Sequence, residues 1–194
     1  MTAHRQAGFN LIELMITIAV AAILLTLAVP SFNDFFDKYR LRGAADDLVS
    51  TLSNARAAAV KADRNVNITF GGTATNWCVG ANAAANPTGG ARAGTADPCD
   101  CTSTASTECV VAGERLAINQ GAHNGVTVDA LPATFTFDSK LGLIAPLGSR
   151  TATLNSPSGK FVVNVSINAL GQTHVCVPAT LPEGKRALAG VQTC

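Results

Sequence analysis

Cysteine and one isolated acid are the residues whose types and spacing could do chemistry. Cys78, Cys99, Cys101 and Cys109 could offer four thiolates to a metal or form two disulfides, and Cys176 and Cys194 lie near the C-terminus. The spacing of the first four does not match the paired short-spacing pattern of zinc sites, so disulfides are expected, with no metal and no other cofactor. A bridge between Cys99 and Cys101 would be strained. The expectation is Cys176 with Cys194, closing the tail onto the last hairpin, and two bridges among Cys78, Cys99, Cys101 and Cys109 whose connectivity the spacing leaves open. His4, His123 and His174 are scattered, and no G-x-S-x-G, H-E-x-x-H or phosphate-binding glycine loop occurs, so no catalytic residue is identified and an enzyme is not expected. The isolated acid is Glu13, the single ionisable side chain in the apolar run 9–29.

The chain has 194 residues, 47% hydrophobic and 14% charged, with a formal net charge of +1. That suits one apolar segment and one globular domain with a real core, and it provides no global basic field for nucleic acid. All six cysteines lie beyond the apolar run, as expected of a domain exported to an oxidising compartment. Residues 1–8 are short and polar with Arg5, which predicts a cytoplasmic N-terminus. Residues 9–29 have roughly the length needed to span the ~30 Å hydrocarbon core as a helix. An acid there costs on the order of 2.5–3.5 kcal/mol at mid-membrane. Either Glu13 sits shallow and snorkels to the headgroups, or a cation meets it in the apolar phase.

Behind Pro30 the helical period continues through 30–64. Phe32, Phe35, Phe36, Tyr39, Ala44, Ala45, Leu48, Leu52, Ala55 and Ala59 recur at three- and four-residue steps, while Asp34, Asp37, Lys38, Arg42, Asp46, Asp47 and Arg56 take other positions. A helical rod of ~80 Å is expected, bent at Pro30, with its apolar stripe on a sheet and the aromatics read as core; a partner-docking surface is the alternative for the aromatics. From 65 to 194 short alternating or β-branched runs predict strands at 66–70, 77–79, 109–111, 115–118, 126–128, 135–137 and 160–167, the last turning at 168–171 into a hairpin. Residues 80–108, rich in Ala, Gly, Thr and Ser, read as a long surface loop pinned by cysteine. The fold class expected is therefore α+β: a long N-terminal α-helix, membrane-spanning in its first half and amphipathic in its second, packed on an antiparallel β-sheet domain.

The stretch G-F-N-L-I-E-L-M-I-T-I-A-V-A-A-I-L-L-T-L-A-V-P, 8–30, resembles the type III signal of type IV pilins and type II secretion pseudopilins. The resemblance implies that a prepilin peptidase removes 1–8 by cutting between Gly8 and Phe9, that Phe9 is N-methylated, and that Glu13 meets the terminal amine of a neighbouring subunit during assembly. Pro30 matches the family's helix-softening proline. It implies other major and minor pilins as partners through the N-terminal helix. It also implies a single-pass inner-membrane protein with a periplasmic domain before assembly and an extracellular pilus subunit after it.

Further on, FTFDSKLGL (135–143) and GKFVVNVSINALGQTHVC (159–176) resemble the end of the GspH/FimT/FimU group of minor pilins and pseudopilins. There a strand-turn is followed by a hairpin with a G-R-x-R type motif before a cysteine. Some FimT-like members bind DNA through those arginines, but the matching positions here are Gly171, Gln172, Thr173 and His174, so both guanidinium groups are absent. Lys160, Lys185 and Arg186, with His174 at acidic pH, remain as a possible DNA contact; a solvated tail is the favoured reading. The expected function is a minor pilin of a tip or priming complex. A DNA receptor for transformation and a minor pseudopilin of type II secretion are the alternatives.

Overall fold

The computed structural model of the protein describes residues 10–83, 99–105 and 107–194, with the side chains of all of these except 27–31. Helix α1 (Leu11–Lys61) is followed by β1 (Val66–Thr73), β2 (Asn76–Ala83), β3 (Val110–Val111), β4 (Glu114–Arg115), β5 (Ala117–Asn119) and β6 (Thr127–Ala130). Then come β7 (Phe135–Phe137), β8 (Ile144–Ala145), β9 (Arg150–Asn155), β10 (Phe161–Ile167), β11 (Thr173–Cys176) and β12 (Arg186–Ala187). The chain divides into two compact units, one reaching to Phe36 and one running from Asp37 to Cys194.

In the first unit the described apolar side chains of α1 are exposed, including Leu11, Ile12, Leu14, Met15, Ile23 and Leu25. The membrane-spanning half expected of this helix is corrected here: among the described residues no helix is long and apolar enough to cross a membrane. The apolar run also contains Glu13, whose carboxylate is costly at membrane depth. The single-pass inner-membrane placement fails with it. Phe32, Phe35 and Phe36 are a second correction: they are exposed, Phe35 and Phe36 meeting edge to face at 5.8 Å, and are not core residues.

In the second unit α1 buries Leu41, Ala44, Ala45, Leu48, Leu52, Ala55 and Ala59, a stripe at three- and four-residue steps that follows the helical period. Tyr39 is exposed. Two residues are ~200° of helical turn, so Tyr39 points away from the face that buries Leu41, and Phe32, Phe35 and Phe36 repeat Tyr39's spacing.

The expected antiparallel sheet is two sheets and a small ladder. One runs β5-β2-β1-β7-β8; the other runs β11-β10-β9-β6, with β12 parallel to β10; β3 pairs β4. Alternation places Val66 and Ile68 of β1, Phe135 and Phe137 of β7, and Phe161, Val163, Val165 and Ile167 of β10 in one core with the helix stripe. Trp77 is buried there and donates its indole N–H to the Val126 carbonyl at 2.9 Å.

The helix ends in a Schellman turn. Arg64 N–H donates to the Ala59 carbonyl at 3.1 Å, Asp63 N–H to that of Val60 at 3.4 Å, and Asp63 takes the left-handed conformation at φ 47°. Lys140 Nζ, from the β7–β8 turn, donates to Asp63 Oδ1 at 2.8 Å. That hydrogen bond first, and the lysine's charge second, hold the Asp63 carboxyl below the usual carboxylate range and Lys140 above the usual lysine range. The Asp63 contribution is therefore present above the unfolded aspartate's pKa and lost as pH falls through the lowered folded value. That of Lys140 is present below the unfolded lysine's pKa and lost as pH rises through the raised one. Both groups are exposed, so the pair is screened and contributes little. In an NMR titration Asp63 is expected to titrate below an unpaired aspartate and to return towards it in Lys140→Ala; an unmoved midpoint in that variant would mean that the pair does not persist in solution.

Candidate functional site

Gly8 and Phe9, where the resemblance places cleavage and methylation, lie outside the described residues. Glu13 is in the first turn of α1, exposed, with its backbone N–H donated to the Asn10 carbonyl at 3.0 Å. The helix begins at Leu11, so Glu13 stands three residues after Asn10, where a carboxylate is favoured by the positive end of the helix dipole. That local reason for an acid was available in the Asn-x-x-Glu spacing and was missed. Pro30 falls within α1, its side chain outside those described. A helix apolar all round buries its side chains against something, and here they are exposed.

The cysteines pair Cys78 with Cys101, Cys99 with Cys109 and Cys176 with Cys194, at Cα separations of 5.5, 4.9 and 5.0 Å. The first two bridges pack together as a small buried cluster against Ala117: Cys78–Cys101 ties the later part of the 80–108 segment back to β2, and Cys99–Cys109 closes 99–109 on itself. The third fastens the tail to β11, where Cys194 N–H also donates to the Val177 carbonyl at 3.0 Å and Val177 N–H to that of Gln192 at 2.8 Å. All six thiols are thereby consumed. Among the described residues no group of three or more His, Cys, Asp or Glu is placed to hold a metal ion.

Of the candidate DNA contacts, three come together. Arg186 N–H donates to the Lys160 carbonyl at 2.7 Å, where β12 meets the start of β10, and Lys185 precedes it. Lys185 Nζ is occupied by Asp129 Oδ2 at 3.1 Å and by the Asn155 side-chain oxygen. His174 is exposed on β11 opposite Ser166, five register positions along β10 from Phe161, or ~17 Å. Lys185 is thus already neutralised and His174 lies apart. His123 is buried, stacked on Trp77 with ring planes 5° apart, and its Nε2 stands 3.1 Å from Asp47 Oδ2 without hydrogen-bond alignment.

Gly171, Gln172 and Thr173 border a guanidinium after all, supplied by Arg56 of α1. Its Nε donates to the Gly142 carbonyl at 2.9 Å. Nothing local in the sequence links residues so far apart.

Residues 3–29 match the prokaryotic N-terminal methylation motif, which is typical of the type IV pilin and type II secretion pseudopilin superfamily. No curated protein and no solved structure matches the chain. With that motif at the start of an N-terminal helix followed by a β-sheet domain, the chain is a pilin- or pseudopilin-like structural protein.

Proposed function

We propose that the protein is a minor type IV pilin of the GspH/FimT/FimU group, a structural subunit of a tip or priming complex that supports pilus assembly. The observation that carries this reading is the opening of α1: exposed apolar side chains on every side, a lone carboxylate at Glu13, and the methylation motif over 3–29. Such a surface gains from packing against like helices. A carboxylate taken into that packing needs a cation, and leaves an uncompensated charge without one. Cleavage between Gly8 and Phe9 would provide it, as the N-methylated amine of Phe9 on a neighbouring subunit, while Pro30 softens the helix. Prepilin peptidase and other pilins are then the partners. The occupied Lys185 and the separated His174 favour the structural role over DNA reception.

Glu13→Ala and Glu13→Gln are expected to remove the subunit from sheared pili and from co-purification with other pilins. The three disulfides and the circular dichroism of the β-rich unit should be unchanged. Normal incorporation of either variant would sink the amine-pairing role. A deletion strain that keeps its pili but loses protein secretion would move the chain to the pseudopilins.

A further inference from the structure

An open groove of about 510 Å³ lies on the second unit, lined among others by Ser53, Arg56 and Val60 of α1, Leu141 of the β7–β8 turn, and Gln172 and Thr173 at the β10–β11 turn. Arg56 is built into it. Gly142 and Gly171 both have positive φ, 66° and 75°, and a Cβ on either would stand 2.8 Å from Arg56 Nε; one on Gly171 would also stand 2.2 Å from the Gly142 carbonyl oxygen. Two turns therefore close on the guanidinium through positions that admit only glycine, and the Nε bond to Gly142 orients it. Among the described residues no acidic side chain pairs with Arg56, and no lining residue is acidic, so the terminal fork of the guanidinium is unused. Ser53 Oγ and Thr173 Oγ1 lie 3.0 Å apart beside it and share one hydrogen bond, leaving a second hydroxyl hydrogen to donate. Val60 and Leu141, both exposed, form apolar lips from the helix and the turn.

We propose that this groove docks an acidic side chain, Glu or Asp, flanked by apolar residues on a partner protein. The carboxylate accepts two parallel N–H bonds from the terminal nitrogens of Arg56 and one from the Ser53–Thr173 pair, while its neighbours cover Val60 and Leu141. A preoriented planar fork suits a carboxylate, and orienting it in advance lowers the cost of binding. Nucleic acid fits less well: phosphate-backbone affinity is built from many cations, whereas this groove has one, and nearby Lys140 is paired with Asp63. Apolar lips on two sides suit a chain that passes through better than one that ends there.

The test is an NMR titration of the full chain in a mild detergent, following the Arg56 Nε–Hε signal and the Gln172 and Thr173 amides. The probe is an end-blocked peptide Ala-Val-Leu-Glu-Leu-Val-Ala, compared with its Gln counterpart. The Glu peptide is expected to shift these signals and the Gln peptide to bind about tenfold more weakly or worse. Arg56→Lys should weaken the Glu peptide similarly. Because Arg56 also holds two turns, Leu141→Ser supplies a variant that leaves the Arg56–Gly142 bond in place and should weaken binding several-fold. Equal binding of the Glu and Gln peptides, or no shift at millimolar peptide, would overturn the proposal. So would tighter binding at these signals by a peptide whose only carboxylate is its C-terminus, or by a duplex oligonucleotide.

Discussion

Leu48→Ala is expected to destabilise the second unit by about 3 kcal/mol, and Tyr39→Ala by less than about 0.5 kcal/mol. Both residues belong to α1 and both are large, so size and element do not separate them. Burial does: Leu48 is 2% exposed within the core and Tyr39 is 71% exposed. Truncating Leu48 removes apolar atoms from the closely packed core that joins residues of both sheets to the helix, and the cavity cannot fully collapse. Truncating Tyr39 leaves no cavity. Urea denaturation followed by fluorescence of Trp77, the protein's one tryptophan and itself buried, measures both. Equal losses would mean that the aromatic side of the helix packs as core after all.

Gly171→Ala is expected to cost more than about 2 kcal/mol, against about 1 kcal/mol for Gly159→Ala. Both glycines have positive φ, 75° and 72°, so each alanine carries the same left-handed penalty. The added carbon at Gly159 meets nothing within 4 Å. At Gly171 it meets the Gly142 carbonyl, a backbone atom that moves only if the β7–β8 turn moves, and it presses on the Arg56 guanidinium. The turn must therefore open, and the Arg56 Nε bond to Gly142 opens with it. Denaturation gives the energies, and accelerated exchange of the Arg56 Nε–Hε proton gives the cause. A Gly171→Ala variant as stable as Gly159→Ala, with that proton still protected, would contradict the close approach of the two turns.

Several elements were legible before folding because their cause is local. In β10 the alternation of Phe161, Val163, Val165 and Ile167 marks a buried face, and all four are core. The stripe Ala44, Ala45, Leu48, Leu52, Ala55, Ala59 follows the helical period, although Leu41, which begins it, was passed over in favour of the more conspicuous aromatics. Strand β9 was missed. Its Arg150, Thr151 and Thr153 read as polar and its Ala152 is small, yet it pairs with β10 along six residues and buries Leu154. Strand β12 was missed for another reason: Arg186–Ala187 is too short to carry a pattern and is a strand because β10 is beside it.

By itself the sequence determined the α+β class, the helical period, the commitment of cysteine to disulfides and the segment that matches the methylation motif, since each depends on residue type and short spacing. Only the tertiary structure decided the division into two sheets, the exposure of Phe32, Phe35, Phe36 and Tyr39, and the partners chosen among Cys78, Cys99, Cys101 and Cys109. It also corrected the membrane-spanning reading of the first helix and set Arg56 between Gly142 and Gly171. Those features depend on which distant segments meet, and a contact across many tens of residues leaves no periodicity for its own neighbourhood to display.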